Sequence, residues 1–304
     1  MNIWLLSYLT HSFGNAIFME AAESRGHQVT QINPDIYHLE LSPLSQKLGF
    51  ISKDGAQEYP DCVFTRMGSS APPEGLHFLR RLENLGIPCV NTSSAIEKSR
   101  DKAYTMNVLS QENLPAPKTI LLGLAASPEI AIDCIGDPPW ILKMPVSTQG
   151  KGVMRIDSLA SLRSVLDVWS NLDEPFLLQE YIAESRGKDI RVLVIGGKAA
   201  GAVQRRAQVR EEFRSNVHLN GINEWINLKP ELGELAERAA ETLGLEVAGV
   251  DLLESKNGPL VCEVNSSPGL RMMTEAEKMD MGMKIVQYIE EKMANQNFDR
   301  HRQG

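Results

Sequence analysis

The sequence is short of the features that mark several large protein classes. Only four cysteines occur in 304 residues, Cys62, Cys89, Cys134 and Cys262, and no two stand at C-x-x-C spacing. That scatter argues against a zinc site and a disulfide framework, and it fits a reducing, cytoplasmic compartment. No apolar run reaches the ~20 residues that a membrane-spanning helix needs. The opening residues, M-N-I-W-L-L-S-Y-L, lack a basic start and a cleavage site, so they read as a first strand and not as a signal peptide. Basic excess is missing too. Lysine and arginine number 31 against 39 aspartates and glutamates, for a net charge of -8. Without a basic stripe to release counterions, nucleic acid is not an expected partner. Gly14 stands alone after the first strand, so the G-x-G-x-x-G dinucleotide fingerprint is absent and a nicotinamide oxidoreductase is disfavoured. There is no G-K-[ST] phosphate loop, no internal repeat and no low-complexity segment.

What is present begins with a strand-helix-strand start: Asn2 to Ser7, Asn15 to Arg25 closed by Gly26, then Val29 to Ile32. Cys62 to Thr65 is a further strand. It leads into Arg66, at a strand end of the kind where open α/β sheets bind ligands. Gly75 to Leu85 reads as a helix and Pro88 to Asn91 as a short strand. From Thr92, capping residues open one helix that carries S-R-D-K at 99–102. Ile141 to Met144 is a strand in which Lys143 faces a cleft if Leu142 and Met144 face the core. Ser147 to Gly152 forms a glycine-bearing loop, including Gln149 and Gly150, whose backbone N–H groups could approach phosphate oxygens. Phe176 to Ile182 is an apolar strand interrupted by Gln179 and Glu180, polar groups that an adenine edge would satisfy.

A hairpin turning at Gly196-Gly197 places Asp189 and Arg191 on one face of its first strand, with Arg205 and Arg206 ending the second. F-R-S-N follows at 213–216, and Pro230 to Leu243 is a helix closed by Gly244. The stretch V-A-G-V-D-L-L-E-S-K-N-G-P-L-V-C-E-V-N then forms two strands about Asn257-Gly258. If Glu254 pairs with Leu260, Asp251 falls opposite Glu263, and Asn265 shares the Glu263 face. Two facing carboxylates repel by roughly 0.2–1 kcal/mol. Three oxygen donors without His or Cys suit a hard cation that relieves the repulsion. A final helix is expected from about Thr274 to Met293, and 294–304 as a frayed tail.

Taken together, S-R-D-K, L-K-M-P with T-Q-G-K-G-V, Q-E-Y-I, D-I-R, Q-R-R-A, F-R-S-N, A-G-V-D and E-V-N-S-S-P-G occur in that order over about 200 residues. This series resembles the ATP-grasp ligases of the RimK type, the alpha-L-glutamate ligase and LysX group. The resemblance implies an α/β (α+β) chain in three parts. These are an N-terminal open α/β domain over 1–93, a central lid domain over 94–177, and a C-terminal antiparallel-sheet domain over 178–293, with the nucleotide between the last two. It implies ATP and two Mg²⁺ ions, or Mn²⁺, as cofactors. Lys102, Lys143 and the loop residues Gln149, Gly150 and Gly152 would meet the phosphates. Glu180, Tyr181 and Ile182 would line the adenine slot, with Asp189 on the ribose and Arg214, Ser215 and Asn216 closing the site. Asp251, Glu263 and Asn265 would hold metal, and Arg191, Arg205 and Arg214 would serve catalysis. The implied partners are an amino acid and a carboxylate acceptor, with assembly as a homodimer or homotetramer. Val209–Glu212 and Lys151 depart from the family pattern near the acceptor side. The favoured acceptor is a peptide or protein C-terminus; the alternatives are a small-molecule or carrier-bound acceptor, or a regulatory module that binds ATP without turnover. The acidic balance disfavours an acidic acceptor, unless a basic patch of Arg66, Arg80, Arg81 and Arg100 offsets it.

Overall fold

The computed structural model describes residues 1–39, 50–51, 59–69, 71–123, 127–147, 150–169, 174–208, 213, 222–271, 273–274 and 280–302. Gln149, Arg214, Ser215, Asn216 and the stretch 209–212 lie outside them. Among the described residues, no helix is long and apolar enough to cross a membrane.

The first sheet is built from β1 (Asn2–Leu6), β2 (Gln28–Ile32), β5 (Cys62–Thr65) and β6 (Cys89–Val90), all parallel in the order β2-β1-β5-β6. Helix α1 (Phe13–Ser24) joins β1 to β2. Its N-cap is Ser12, whose side chain accepts from the Asn15 N–H. The two-residue strands β3 (His38–Leu39) and β4 (Phe50–Ile51) pair apart from this sheet. Strand β1 is apolar on both faces because both are covered. Ile3 and Leu5 pack toward α1, while Trp4 and Leu6 pack with α2 (Glu74–Asn84).

The expected single helix after Thr92 is two: α3 (Ser93–Arg100) and α4 (Lys102–Gln111). Asp101 is extended, and its carboxylate accepts from the N–H groups of Ala103 and Tyr104, which makes it the N-cap of the second helix. Propensity alone favours continuing through Arg100-Asp101-Lys102; the capping aspartate stops it, and Lys102 becomes the first residue of a helix.

The second sheet comprises β7 (Thr119–Leu122), β8 (Trp140–Lys143), β9 (Val153–Ile156) and β10 (Phe176–Glu180), antiparallel in the order β7-β10-β8-β9. Helices α5 (Pro128–Ile135) and α6 (Leu159–Trp169) complete this part. The third sheet holds β11 (Lys188–Ile195), β12 (Lys198–Arg206), β13 (Ile222–Trp225), β14 (Val247–Ser255) and β15 (Gly258–Asn265) in the order β13-β12-β11-β14-β15. Between β13 and β14 comes α7 (Pro230–Leu243), ended by Gly244 at φ 75°. The β11–β12 turn at Gly196-Gly197 has positive φ at both residues, the conformation that glycine supplies without steric cost.

Helix α8 (Met281–Arg302) ends the described chain. Residues 294–302 are therefore helical where a frayed tail was expected; Met273 and Thr274 are helical as expected, but Asp280 is not, so Met281 opens a separate helix. No glycine or proline occurs from 294 to 303 to stop it.

The third sheet is covered on both faces. Val192, Val194, Val250 and Leu252 pack with α7, while their neighbours Leu193, Ile195 and Val247 pack with α1, α8 and the first sheet. One continuous core thus joins the first and third sheets. Toward the start of β11, the α1/α8 face changes character: Asp189 and Arg191 stand where Leu193 and Ile195 stand further along.

Candidate functional site

The strand register gathers the charged residues on two neighbouring same-face rungs of the third sheet, a charged row two rungs deep. Arg205 on β12 pairs with Asp189 on β11, Arg191 on β11 with Asp251 on β14, and Asp251 with Glu263 on β15. Asn265 pairs with Gly249 one step along. The Asp251–Glu263 pairing is the expected one, reached by a different route. Glu254 faces Pro259 rather than Leu260, because the turn closes at Ser255–Gly258. A β-bulge between Asp251 and Leu252 then absorbs one residue and restores the carboxylate pair.

Asp251 is almost fully buried and held from two sides. Arg191 Nε donates to Oδ1 at 2.6 Å and Nη2 to Oδ2 at 2.7 Å, a two-pronged fork. Arg205 Nη2 lies 2.9 Å from Oδ2. Arg205 also forks Asp189, with Nε donating to Oδ1 at 2.6 Å and Nη2 to Oδ2. Burial pushes the Asp251 carboxyl up, but the two guanidiniums outweigh it and hold its pKa below the ordinary carboxylate value. Burial likewise works against the Arg205 charge, and Asp251 and Asp189 more than restore it. Removing one partner from such a buried cluster costs roughly 3–5 kcal/mol.

Two cavities meet at this row. The first, of about 140 Å³, lies between the second and third sheets. Lys102, Lys143, Gly150, Asp189, Arg205, Asp251 and Glu263 form its polar lining, and Ile141, Val153, Ile182 and Leu253 its apolar walls, with Glu180 and Tyr181 beside them. An apolar slot floored by lysines suits a purine with a charged tail. Lys143 does face this cleft while Leu142 packs in the core. Its Nζ donates to Gln179 Oε1 at 2.7 Å, and Gln179 Nε2 donates to Thr119 Oγ1 at 2.8 Å. Gln179 is therefore satisfied by the protein itself, where a ligand edge was expected. The Glu180 carboxylate accepts from the Lys118 backbone N–H at 2.8 Å. Lys102 Nζ donates to Ser147 O at 2.9 Å and Ser147 Oγ at 3.2 Å, and it lies 3.7 Å from Glu263 Oε1. Both ammonium groups rest on neutral oxygens that phosphate oxygens could replace.

The second cavity, of about 770 Å³, lies between the first sheet and the charged row. Arg191, Glu263 and Asn265 line it on one side, and Arg66, Gly68 and Gly14 on the other. Among the described site residues, Glu263 alone lines both cavities. Gly152, at φ 65°, turns against Met144 and lines neither. Of the anticipated basic patch, Arg66 and Arg100 border the second cavity, Arg100 also donating to Ala71 O, while Arg80 is paired with Glu97.

The metal set fits a hard cation in its chemistry: two carboxylates and an amide oxygen on adjacent strands. Glu263 is the accessible member, with 32% of its side chain exposed. Asp251 would exchange a guanidinium for the ion. Sequence reading missed Gln179 and Ser147 as lysine partners and Cys262 as a cleft residue. The polar break in the β10 apolar run was the signal for Gln179; the bulge that turns Cys262 into the cleft left none.

Comparison with known proteins agrees with this geometry. A family model described as the RimK PreATP-grasp domain matches residues 1–96, and one described as the RimK-like ATP-grasp domain matches residues 99–289. Relatives named probable alpha-L-glutamate ligase include one from Legionella pneumophila (strain Corby), 38% identical over 293 residues and 96% of each chain. Another, from Coxiella burnetii (strain Dugway 5J108-111), is 39% identical over 95% of each. Among solved structures, a RimK domain ATP-grasp protein from Sphaerobacter thermophilus superposes with TM-score 0.71 at 22% identity, over 95% of this chain and 99% of that one. A D-alanine–D-alanine ligase from Bacillus anthracis complexed with ATP superposes with TM-score 0.68 at 20% identity over the full length of both. With both domain types matched in order and relatives aligned over nearly its whole length, the chain belongs to the RimK-type ATP-grasp ligase family.

Proposed function

We propose that this protein joins the amine of an amino acid, glutamate in the favoured reading, to the C-terminal carboxylate of a peptide or protein at the expense of ATP. The observation that carries the reading is the position of Glu263. It lines both a narrow cleft with two lysines and a wider arginine-bearing cavity, so a nucleotide on one side and a carboxylate on the other would meet there. The alpha-L-glutamate ligase name of the relatives supports glutamate as the amino acid.

In this scheme the nucleotide base occupies the slot beside Glu180, Tyr181 and Ile182, and Lys102 and Lys143 hold its phosphates. Asp251, Glu263 and Asn265 would hold two magnesium ions, or manganese in their place, and the bound metal would supply neutralisation of phosphate charge. A carboxylate oxygen of the acceptor attacks the γ-phosphorus. The bond from that phosphorus to the bridging oxygen breaks, leaving an acyl phosphate and ADP. The amine then attacks the acyl carbon, the carbon–oxygen bond to phosphate breaks, and the amine proton departs with phosphate. Arg191 and Arg205 orient the carboxylate and the transferring phosphoryl group. No side-chain nucleophile is required. An acyl phosphate hydrolyses in water, so the segment from Ser147 to Gly152 serves as a cover.

The test is ADP release from Mg-ATP across single amino acids, with and without a cell extract, followed by mass spectrometry of the products. Turnover with one amino acid and a product heavier by that residue supports the reading. Nucleotide binding without turnover under any condition replaces it with an ATP-binding regulatory module.

A further inference from the structure

Among the described residues, Arg66 is a cation without a counter-ion. It follows β5 directly, and its Nη1 donates to the Pro268 carbonyl at 2.6 Å. Its Nε is buried without a hydrogen-bond partner, and no carboxylate among the described residues pairs with it. Burial alone brings its pKa down to about 10. The other arginines near the site are used differently: Arg191 and Arg205 are neutralised by Asp251 and Asp189, and Arg80 by Glu97. A partly buried guanidinium that no acid among the described residues compensates is costly to fold around, and such groups occur where a ligand completes them.

The surroundings favour an anion. Among the described residues, four arginines (Arg66, Arg100, Arg191 and Arg271) line the second cavity against one carboxylate, Glu263, in a chain whose net charge is -8. The first turn of α1, residues Ser12 to Asn15, opens into the same cavity, adding the positive end of a 12-residue helix. Space has been kept for the guanidinium. A Cβ at Gly14 would come within 2.6 Å of Arg66 Nη2, so glycine at this helical position lets Arg66 lie against the helix start. No positive φ requires a glycine there.

We propose that Arg66, backed by the first turn of α1, is the receptor for a non-reacting carboxylate of the amine donor. The inference deepens the ligase reading and rests on it. Glu263 and Arg191 stand at the end of the cavity where the reacting carboxylate belongs. Arg66 lines the same cavity from the end of β5, with Pro268 between it and the Gly249–Arg191 contact, so an acidic amino acid anchored there can present its amine toward the junction. The site thereby selects a donor that carries negative charge, and its neutral amide analogue leaves the guanidinium unpaired.

The experiment compares the full-length wild type with Arg66→Gln, Arg66→Lys and Gly14→Ala, using glutamate and glutamine as donors in steady-state ligation. Equilibrium binding of each amino acid in the presence of Mg-ADP is measured alongside. Arg66→Gln is expected to raise KM and Kd for glutamate on the order of 10–100-fold, the loss of one charged hydrogen-bonding partner. KM for ATP and the constants for glutamine should hold, so the preference for the acid over the amide collapses. Arg66→Lys restores part of it, and Gly14→Ala, which keeps every charge but displaces the guanidinium, weakens glutamate in the same direction by less. Equal losses for glutamate and glutamine, a loss that falls on the acceptor, or no loss at all overturns the proposal. Absence of ligation by the wild type with every donor removes the ligase reading instead, and the binding comparison then decides Arg66 separately.

Discussion

Arg191 and Asp251 face each other across adjacent strands and are joined by two hydrogen bonds of 2.6 and 2.7 Å, so a carboxylate expected to hold metal is also the anchor of a buried guanidinium. Arg205 reaches the same carboxylate from the far side. The row is thus part of the core as well as part of the site, and its members differ in how much the fold depends on them.

Asp251 and Glu263 therefore separate when substituted. Asp251→Asn should lower unfolding free energy by roughly 3–5 kcal/mol, since two buried arginines lose a charged partner. Glu263→Gln, accessible and 3.7 Å from Lys102, should stay within about 1 kcal/mol of wild type. Both should abolish ATP turnover. Urea titration read at constant m distinguishes them; equal stability losses would mean that the Asp251 cluster is not the buried unit described.

The acid limb of stability should carry the same signature. The Asp251 pKa is lower in the folded protein than in the unfolded chain. Its contribution is accordingly present above the ordinary carboxylate value of about 3.9, and it is lost as pH falls through the lower folded-state value. Stability from this group is expected to be flat from pH 5 to 8 and to decline below about pH 4. The Asp251→Asn variant should show a shallower decline in that range, measured by thermal melting across pH.

Lys143 and Gln179 form a buried pair that the nucleotide should replace. Gln179→Leu leaves the ammonium without its 2.7 Å acceptor and should cost about 1–3 kcal/mol. Saturating ATP should restore much of that loss by mass action, to a larger extent than it stabilises the wild type. Lys143→Met leaves the buried Gln179 Oε1 without its donor and should cost the free protein a similar amount, but ATP should recover none of it, and KM for ATP should rise about 10-fold or more. Melting curves with and without nucleotide resolve the two cases.

The cysteines should label in order of exposure. Cys134 is exposed, Cys62 and Cys89 are buried, and Cys262 sits in the wall of the nucleotide cleft. Burial pushes the Cys62 thiol up to about 12 and raises Cys89 and Cys262 as well. An alkylating reagent at pH 8 should modify Cys134 first and leave the others until unfolding, with any slow reaction at Cys262 suppressed by ATP. Peptide mapping by mass spectrometry reads the order.

Much of the site was legible because it depends on short-range rules. The alternation of a strand places Glu263 with Asn265 and Asp189 with Arg191, and the double glycine sets the β11–β12 turn. Where local preference and tertiary context disagree, sequence reading failed. Arg100-Asp101-Lys102 reads as helix until Asp101 turns its carboxylate onto the next helix start. The β14–β15 register was right at Asp251 and wrong at Glu254, because a bulge compensated for a tighter turn than expected.

By itself the sequence determined the element types, the strand faces and the ordered series of motifs, since each depends on residues within a few positions of one another. Only the tertiary structure decided what those residues do with their charges. Asp251 could face solvent, a metal or an arginine at the same strand position, and the pairing of three strands, β12, β11 and β14, places Arg191 and Arg205 on it. Arg66 read as an arginine at a ligand-binding strand end, with no sign of how its charge is balanced. It became a partly buried cation with no acid partner among the described residues because β5, the first turn of α1 and the Pro268 carbonyl, from segments about 200 residues apart in the chain, close around it. Charge pairing across such distances is set by packing, which no local pattern encodes.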